Sequence, residues 1–424
     1  MLVAGVLLVL TYVGMIYTRL PRVNIDRPAA ALTGGLLTVL LGVLTPREAL
    51  DAVDFNTLAL LLGMMLLVAT LQRAGFFTWL ASHSLAVATR PWQLLVLVVV
   101  ATAVGSAFLV NDVVVLLFTP VVVVACRMVG VSPVPYLIAE AMASNIGSTA
   151  TIVGNPQNML IGVTSGISFT RFLEYLLPVA LVSSLVLLVV VYLFYRKEMG
   201  RPFAGEQVQG RTLSVAAGQP MPAAQRRLLI WILPILFITV LGFFLSHLIG
   251  VGIPLVAMTG GVAALLFSGI RPSRTIQSVD WSLLLFFGGL FVVIGGAEHA
   301  GVLDVFLRNV LIEPDGAGIL SLHVFSVVVS QVVSNVPLTM LVIPLIRDIP
   351  GDVLWISLAA GSTLGGNATI IGAVANIIVV EQADRHGVHL GWWEFTKVGL
   401  LVTGLTVAAS VGILALEFRL GFLR

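Results

Sequence analysis

The sequence has few charged residues and a single cysteine. Charged side chains make up 10% of its 424 residues, well under half of their usual share in soluble domains. One cysteine, Cys126, excludes an internal disulfide framework. Basic residues do not cluster with aromatic ones, which argues against a nucleic-acid-binding face. The composition therefore argues against a soluble protein, a disulfide-stabilised protein and a nucleic-acid-binding protein.

Motifs for metal binding and catalysis are also missing from the sequence. The six histidines show no metal-ligand spacing, since His386 and His389 lie in a charged loop. No phosphate-binding loop or nucleophile–base pair stands out. We therefore expect neither an enzyme nor a bound cofactor or metal.

Hydrophobic residues, by contrast, make up 58% of the chain, and many apolar runs approach or exceed the length that crosses a bilayer. These runs lie at 2–18, 28–45, 57–72, 135–166 and 173–195 in the first half, and at 228–249, 252–270, 281–297, 352–380 and 396–416 in the second. The pattern predicts an all-α, polytopic membrane protein.

A longer apolar stretch lies between the third and fourth runs of each half, at 92–126 and 320–346. Asn111-Asp112 interrupts the first stretch and Ser334-Asn335 the second. Each arm looks short for a full crossing, so we expect two re-entrant helical hairpins with polar tips. Because five spans plus one hairpin give each half an odd number of crossings, the halves should run in opposite directions, as an inverted repeat.

A polar, glycine-rich stretch at 144–158 interrupts the fourth run of the first half, and 362–376 repeats it in the second. Gly147 and Gly154 allow backbone angles that other residues resist, and Pro156 removes a helix hydrogen bond. Non-helical backbone at membrane depth is tolerated only inside protein or beside a wet cavity. We therefore expect a broken transmembrane helix in each half, as in secondary transporters with a midplane site.

These stretches belong to a longer internal duplication. Asp54 pairs with Asp280, and Asn111 with Asn335, at nearly the same spacing. We assign the parts of the chain as 1–197, the first repeat; 198–226, a cytoplasmic linker; and 227–424, the second repeat. Most of the 22 lysines and arginines fall on the linker's side of the predicted topology. The positive-inside rule then places the linker in the cytoplasm and both termini outside.

Polar residues of the tips and broken helices are the candidate binding site. Small residues alone would fit helix packing, but buried amides need polar partners and so indicate a site. The candidate substrate- or ion-binding residues are Asn111, Asp112, Asn145, Gly147, Ser148, Thr149, Asn155, Asn158, Ser334, Asn335, Thr339, Ser362, Thr363, Gly366, Asn367, Thr369 and Asn376. No Lys or Arg lies near the midplane, which favours a small anion or a neutral, hydroxyl-rich solute.

Two acids in this region are candidates for proton coupling. Asp112 has Val336 as its partner in the second half; it is either the N-cap of a helix starting at Val113 or a coupling residue. Glu140 lies four residues before Ser144 on the same helical face. It either binds a proton or reaches the cytoplasmic interface.

The motifs resemble those of the ion transporter superfamily, in the branch of arsenite efflux permeases, P protein and silicon-efflux permeases. Residues 364–376 resemble the P-protein signature. Residues 110–112 followed by 118–120 resemble the hairpin of arsenite permeases, and 154–158 resemble the silicon-efflux group. The resemblance runs nearly from end to end and extends to citrate-transporter-like carriers and divalent anion:sodium symporters.

This resemblance implies a scaffold domain, a moving transport domain and elevator-type exchange, often in a homodimer; some arsenite permeases also bind a cytosolic ATPase. Sodium-coupled dicarboxylate carriers of the superfamily typically carry Ser-Asn-Thr at both tips. Here the tips read Val-Asn-Asp at 110–112 and Ser-Asn-Val at 334–336, which favours protons over sodium as the coupling ion. The leading hypothesis is proton-coupled efflux of a small inorganic oxyanion or oxyacid, similar to arsenite, antimonite or silicate. The alternatives are a sodium-coupled organic anion carrier, a sodium/proton antiporter and a passive channel.

Overall fold

The computed structural model describes residues 1–16, 26–76, 88–200, 223–303 and 313–423. Within these ranges every regular element is a helix. Eight of the described helices are long and apolar enough to cross a membrane. The all-helical membrane fold predicted from the sequence is therefore confirmed, while most of the predicted linker, 198–226, lies outside the described residues.

The helices of the first half follow the predicted order of three spans, a hairpin, a broken helix and a long helix. They are α1 (Leu2–Ile16), α2 (Arg27–Leu40), the short α3 (Pro46–Asp51), α4 (Phe55–Arg73), α5 (Pro91–Phe108), α6 (Asn111–Met128), α7 (Val134–Thr149), α8 (Pro156–Ser165), α9 (Phe169–Phe194) and the short α10 (Arg196–Met199).

The second half repeats that order. Its helices are α11 (Ala223–Ile249), α12 (Ile253–Phe267), the short α13 (Pro272–Ile276), α14 (Trp281–His299), α15 (Gly316–Val333), α16 (Asn335–Ile346), α17 (Val353–Gly365), a 3₁₀ turn (Ile370–Gly372), α18 (Val374–Arg385) and α19 (Trp392–Arg419). The recurring order supports the duplication, and the opposite orientation of the halves stays a prediction.

The hairpins are longer than the sequence suggested. Helices α5, α6 and α15 have 18 residues each, or about 27 Å at the rise of an α-helix, whereas α16 has 12. The expectation that every arm is too short to cross is therefore wrong for three of the four arms. Whether the hairpins turn back inside the bilayer stays a prediction.

The aspartates that supported the duplication are helix caps. The carboxylate of Asp54 accepts hydrogen bonds from the backbone N–H of Asn56 and Thr57, at 3.0 and 3.2 Å. Asp280 does the same for the backbone N–H of Leu283, at 3.0 Å. An N-cap carboxylate satisfies helix N–H groups that lack intrahelical partners, so this pair has a structural role at the start of α4 and α14.

Six helices form what we call the three-span bundle, α1, α2 and α4 with α11, α12 and α14. In it α4 packs on α12 and α2 packs on α14. Glycines allow both contacts: a Cβ on Gly63 would lie 2.4 Å from the backbone of Ala257, and one on Gly289 would lie 2.6 Å from the backbone of Ala31. Gly63 and Gly289 are equivalent positions of the two halves, as are Ala31 and Ala257. The same close packing is thus built twice, with the partners exchanged between halves.

Ten further helices, α5–α9 and α15–α19, form what we call the hairpin bundle. Helix α5 packs on α7, α15 packs on α17, and α9 packs on α19. Here too matched glycines permit close approach: Gly147 would place a Cβ 2.4 Å from the Cα of Ala103, and Gly365 would place one 2.9 Å from the Cα of Val327. The two bundles touch through α4 with α8 and α14 with α16, among a few other pairs.

A candidate site between two broken helices

The first break lies between α7 and α8, where Asn155 begins the second segment. The Asn155 side-chain oxygen accepts a hydrogen bond from the backbone N–H of Asn158 at 2.8 Å, and Pro156 occupies the first turn of α8. Both choices suit a helix start, because Pro lacks the N–H that would be unsatisfied there. The second break lies between α17 and α18 and contains the 3₁₀ turn. The predicted broken helices are therefore present in both halves.

Equivalent asparagines close the two breaks in the same way. The side-chain N–H₂ of Asn158 donates to the carbonyls of Ser148 and Thr151, both at 3.0 Å. The amide of Asn376 donates to the carbonyl of Gly366 at 2.7 Å and to a second carbonyl of its break at 3.0 Å. These bonds satisfy carbonyls that the interrupted helices leave free. Asn158 and Asn376 therefore hold the breaks in shape, whatever else they bind.

Asn145 joins the halves at the centre of the hairpin bundle. Its side-chain N–H₂ donates to the amide oxygens of Asn367 and Asn376, at 2.9 and 3.1 Å. Its own amide oxygen accepts from Asn111 at the first hairpin tip, at 3.3 Å. All four side chains are buried. Both breaks and the first tip thus meet in one network of amides.

Thr363, the equivalent of Asn145 in the second half, makes the corresponding contacts to the first break. Its hydroxyl donates to the amide oxygen of Asn158 at 3.5 Å. It accepts from the amides of Asn155 and Gln157, at 3.4 and 3.3 Å. The network therefore crosses between the halves twice, through equivalent positions.

The hairpin tips also contact the breaks. The backbone N–H of Asn111 donates to the carbonyl of Gly154 at 2.9 Å. With its amide oriented to satisfy the groups around it, Asn335 donates to the carbonyls of Gly372 and Ser362 at 3.0 and 2.9 Å. Ser334, before Asn335, has φ 70° and ψ 171°, a backbone conformation that residues other than glycine rarely adopt. The second tip therefore carries backbone strain beside the network.

Three buried polar atoms near this network have no hydrogen-bond partner among the described residues. They are the side-chain nitrogen of Asn367, the side-chain oxygen of Asn111 and the hydroxyl of Thr339. Asn367 and Asn111 both contact Asn145, so an unused donor and an unused acceptor lie on either side of one amide. Each such group costs about 1–3 kcal/mol when left unsatisfied. A ligand that both donates and accepts hydrogen bonds would satisfy them.

The other predicted residues lie around this network in supporting roles. Gly147 packs against α5, and the hydroxyl of Thr149 donates to the carbonyl of Asn145 at 2.9 Å. Thr369 donates to the side-chain oxygen of Gln331 at 2.8 Å. Gln331 was absent from the predicted site; as an amide in an apolar hairpin arm, it carried the same signal as the asparagines.

Asp112 does not cap its helix. The N-cap of α6 is Val110, and the helix begins at Asn111 rather than Val113, so the capping interpretation is wrong. The Asp112 side chain is half-buried in the first turn, and no hydrogen bond or ion pair to it is found in the described part of the chain. Asp112 is thus an acid of the hairpin bundle that forms no ion pair among the described residues.

Glu140 is wholly buried in α7, so the expectation that it reaches the cytoplasmic interface is wrong. One carboxyl oxygen accepts from the hydroxyl of Thr119 at 3.0 Å. The other has no partner within the described ranges. A buried carboxylate with an unsatisfied oxygen is costly, which favours a bound proton at Glu140.

Comparison with known proteins agrees with this architecture. A sequence model described as a citrate transporter matches residues 6–355. The chain belongs to the citrate transporter family. The chain is 31% identical to a 46 kDa membrane protein of Mycobacterium leprae, and the match covers 93% of this chain and 94% of the relative. It is 30% identical to an uncharacterized transporter of Mycobacterium tuberculosis over 95% and 96% of the two chains.

The human P protein is 28% identical over 92% of the chain, which covers 57% of that longer protein. The Alcanivorax borkumensis YdaH transporter has the same fold, with a TM-score of 0.64 over 100% of this chain and 98% of the other, at 14% identity. The resemblance to the ion transporter superfamily is thereby confirmed, and the chain is a membrane transporter rather than an enzyme.

Proposed function

We propose that this transporter is an ion-coupled secondary carrier whose substrate site is the amide network around Asn145. The leading candidate is proton-coupled efflux of a small inorganic oxyanion or oxyacid, similar to arsenite, antimonite or silicate. The proposed coupling residues are Asp112 and Glu140. The hairpin bundle is the proposed moving domain and the three-span bundle the proposed scaffold of an elevator mechanism.

The pair of unused amide atoms beside Asn145 carries this proposal. A neutral oxyacid has hydroxyl groups that donate and accept, so it matches the free nitrogen of Asn367 and the free oxygen of Asn111. The side chains that form the described network are all neutral. An anion with several charges would need compensation there, which helix N-termini supply only in part.

The way in which the bundles meet supports the elevator mechanism. Within each bundle, matched glycines allow close helix packing, which favours movement of each bundle as a unit. Between the bundles, the hydroxyl of Tyr12 donates to the carbonyl of Pro337 at 2.8 Å, and Arg347 forms an ion pair with Glu298. The first half cannot form the same ion pair, because its equivalent positions hold Gln72 and Val123. Such contacts suit one position of the hairpin bundle and would have to break in another.

A second candidate is a sodium-coupled organic anion carrier, or a sodium/proton antiporter. The description of the family model names citrate, and carboxylates bind well at helix N-termini. The starts of α8 and α18 would supply backbone N–H groups, with the neighbouring amides as further donors. Homodimer formation and docking of a cytosolic ATPase remain expectations from the superfamily.

Transport into proteoliposomes of purified protein tests these candidates. Vesicles under a pH gradient, a sodium gradient or neither are offered arsenite, antimonite, silicate or citrate. We expect uptake of an inorganic oxyacid that depends on the pH gradient, is lost in Asn145→Ala and persists in Ser184→Ala, whose hydroxyl bonds within the unbroken α9. Sodium-dependent citrate uptake would favour the second candidate. Flux that depends on neither gradient would indicate a passive channel and refute the carrier.

Orientation is tested separately by labelling tags from outside the cell. The proposed topology, with two inverted halves, places tags at both termini outside and a tag at position 210 in the cytoplasm. Termini found on opposite faces would contradict the proposed number of crossings in each half.

A further inference from the structure

A basic pocket lies at one end of the three-span bundle and shares no lining residue with the amide network. It has a volume of about 580 Å³ and is lined by Arg73, Gly269, Ile270, Arg271 and Arg274. Three arginines therefore line one cavity, and the described residues of its lining include no carboxylate. Like charges held together repel each other unless an anion or solvent compensates them.

Arg73 is fixed in place by hydrogen bonds to the segment that carries the other two arginines. Its Nη2 donates to the carbonyl of Arg274 at 2.8 Å, and its Nε donates to the hydroxyl of Ser278 at 3.2 Å. Neither Arg271 nor Arg274 uses its side chain in an ion pair or hydrogen bond among the residues described. Arg73 therefore shapes the pocket, while two guanidinium groups remain available to a ligand.

Exposed apolar residues next to the pocket place it at the level of lipid headgroups. Leu266 and Phe267, at the end of α12, are 63% and 64% exposed, as expected for side chains that face lipid. Trp281 is also exposed, and its indole N–H donates to the carbonyl of Ile276 at 3.1 Å. Tryptophan is enriched where hydrocarbon meets headgroups. The arginines thus lie where apolar surface gives way to water.

The pocket also lies at the end of the bundle where the linker enters. Gly269 lies against Leu228, close to the start of α11. The proposed topology makes this the cytoplasmic end, where anionic lipids give the membrane a negative surface potential. The positive charge of the pocket and its level in the membrane therefore both favour a phosphate-bearing lipid as its ligand.

We propose that Arg271 and Arg274, beside the hydrogen-bonded Arg73, bind the phosphate headgroup of an acidic phospholipid. The cytoplasmic source of that lipid rests on the proposed topology, whereas the binding chemistry does not depend on the transported substrate. A lipid held there contacts the end of α4 and the α12–α14 connection, both within the three-span bundle. It would anchor that bundle to the membrane while the hairpin bundle moves.

The test compares the double variant Arg271→Gln/Arg274→Gln with the control Arg196→Gln/Arg385→Gln. Both remove two exposed arginines, and the first keeps Arg73 with its hydrogen bonds. Thermal unfolding and native mass spectrometry of purified protein are recorded with phosphatidylglycerol, with phosphatidylcholine and with inorganic phosphate. Each arginine near a membrane surface contributes about 1 kcal/mol, roughly a fivefold change in affinity.

We expect phosphatidylglycerol to raise the Tm of the wild type and of the control, and its affinity to fall at least tenfold in the pocket variant. Phosphatidylcholine should have little effect. Equal affinity in the pocket variant and the control would refute the site. An equal response to inorganic phosphate and phosphatidylglycerol would assign the pocket to a soluble phosphate and overturn the lipid as its occupant. Loss of lipid binding with transport intact would separate this site from the substrate site.

Discussion

Glu140 and Leu358 occupy equivalent positions in α7 and α17, four residues before Ser144 and Ser362. Both are fully buried, so the substitution Glu140→Leu gives the first half the residue that the second half already accommodates. It removes a carboxyl oxygen that has no hydrogen-bond partner in the described part of the molecule. The hydroxyl of Thr119 loses its acceptor but can turn to the carbonyl one helical turn before it.

The expected stability change follows from these contacts. An unsatisfied buried polar atom costs about 1–3 kcal/mol, and its removal outweighs the loss of one hydrogen bond of about 1 kcal/mol. Glu140→Leu should therefore raise the free energy of unfolding by roughly 1 kcal/mol, if surrounding side chains relax around the new shape. Glu140→Gln keeps a partner for Thr119 and should change stability less.

Uptake driven by a pH gradient should fall, although the free energy of unfolding rises. If Glu140 binds the coupling proton, both substitutions abolish uptake driven by a pH gradient while the protein remains folded. Stability is measured by thermal unfolding in detergent and transport in proteoliposomes, with Ser184→Ala as the control. Wild-type transport by Glu140→Leu would refute a coupling role. Marked destabilisation by Glu140→Leu would refute the argument that the unsatisfied oxygen is costly.

Other positions give further predictions. Asp112→Asn should fold and bind substrate but lose transport driven by a pH gradient, because the amide cannot exchange a proton; wild-type rates would place coupling elsewhere. Ser334→Gly should raise stability by about 1 kcal/mol in thermal unfolding, since relief of backbone strain exceeds the entropy cost of glycine; lower stability would contradict strain at the second tip. Arg347→Gln, which breaks the ion pair with Glu298, should shift the distance distribution between the bundles, measured with paired spin labels. The shift should correspond to 1 kcal/mol or less because the pair is partly exposed, and an unchanged distribution would exclude the pair as a restraint.

The positions of the helices could be predicted from the sequence because local features determine them. Apolar runs gave the spans, and the glycines and amides of 144–158 and 362–376 gave the breaks. The prediction that the hairpin arms are short was wrong for three arms, because a polar tip does not limit the length of the arms beside it. The interpretation of Asp112 as a cap before Val113 fails because the helix begins at Asn111, after Val110, which caps it without a side-chain hydrogen bond.

The partners of each residue could not be predicted, because partner choice depends on how the halves fold onto each other. Sequence spacing paired α4 with α14 as equivalents, whereas α4 packs chiefly on α12. Likewise, the sequence marked Asn158 as polar at depth without indicating that its amide closes its own break. The contact of Gln331 with Thr369 belongs to the same class, although the amide of Gln331 in an apolar arm was itself a visible sequence signal.

The differences between the halves are as informative as their matches. Asn158 and Asn376 bond equivalent carbonyls, and Asn145 and Thr363 cross to the opposite break, so the duplicated polar residues account for the shape of the site. The acids do not repeat: Asp112 is matched by Val336 and Glu140 by Leu358. The geometry of the breaks therefore does not require a carboxyl group at either position. Two acids that the architecture does not need, in the bundle proposed to move, support the proposed role in coupling, because stability alone would favour the apolar residues of the second half.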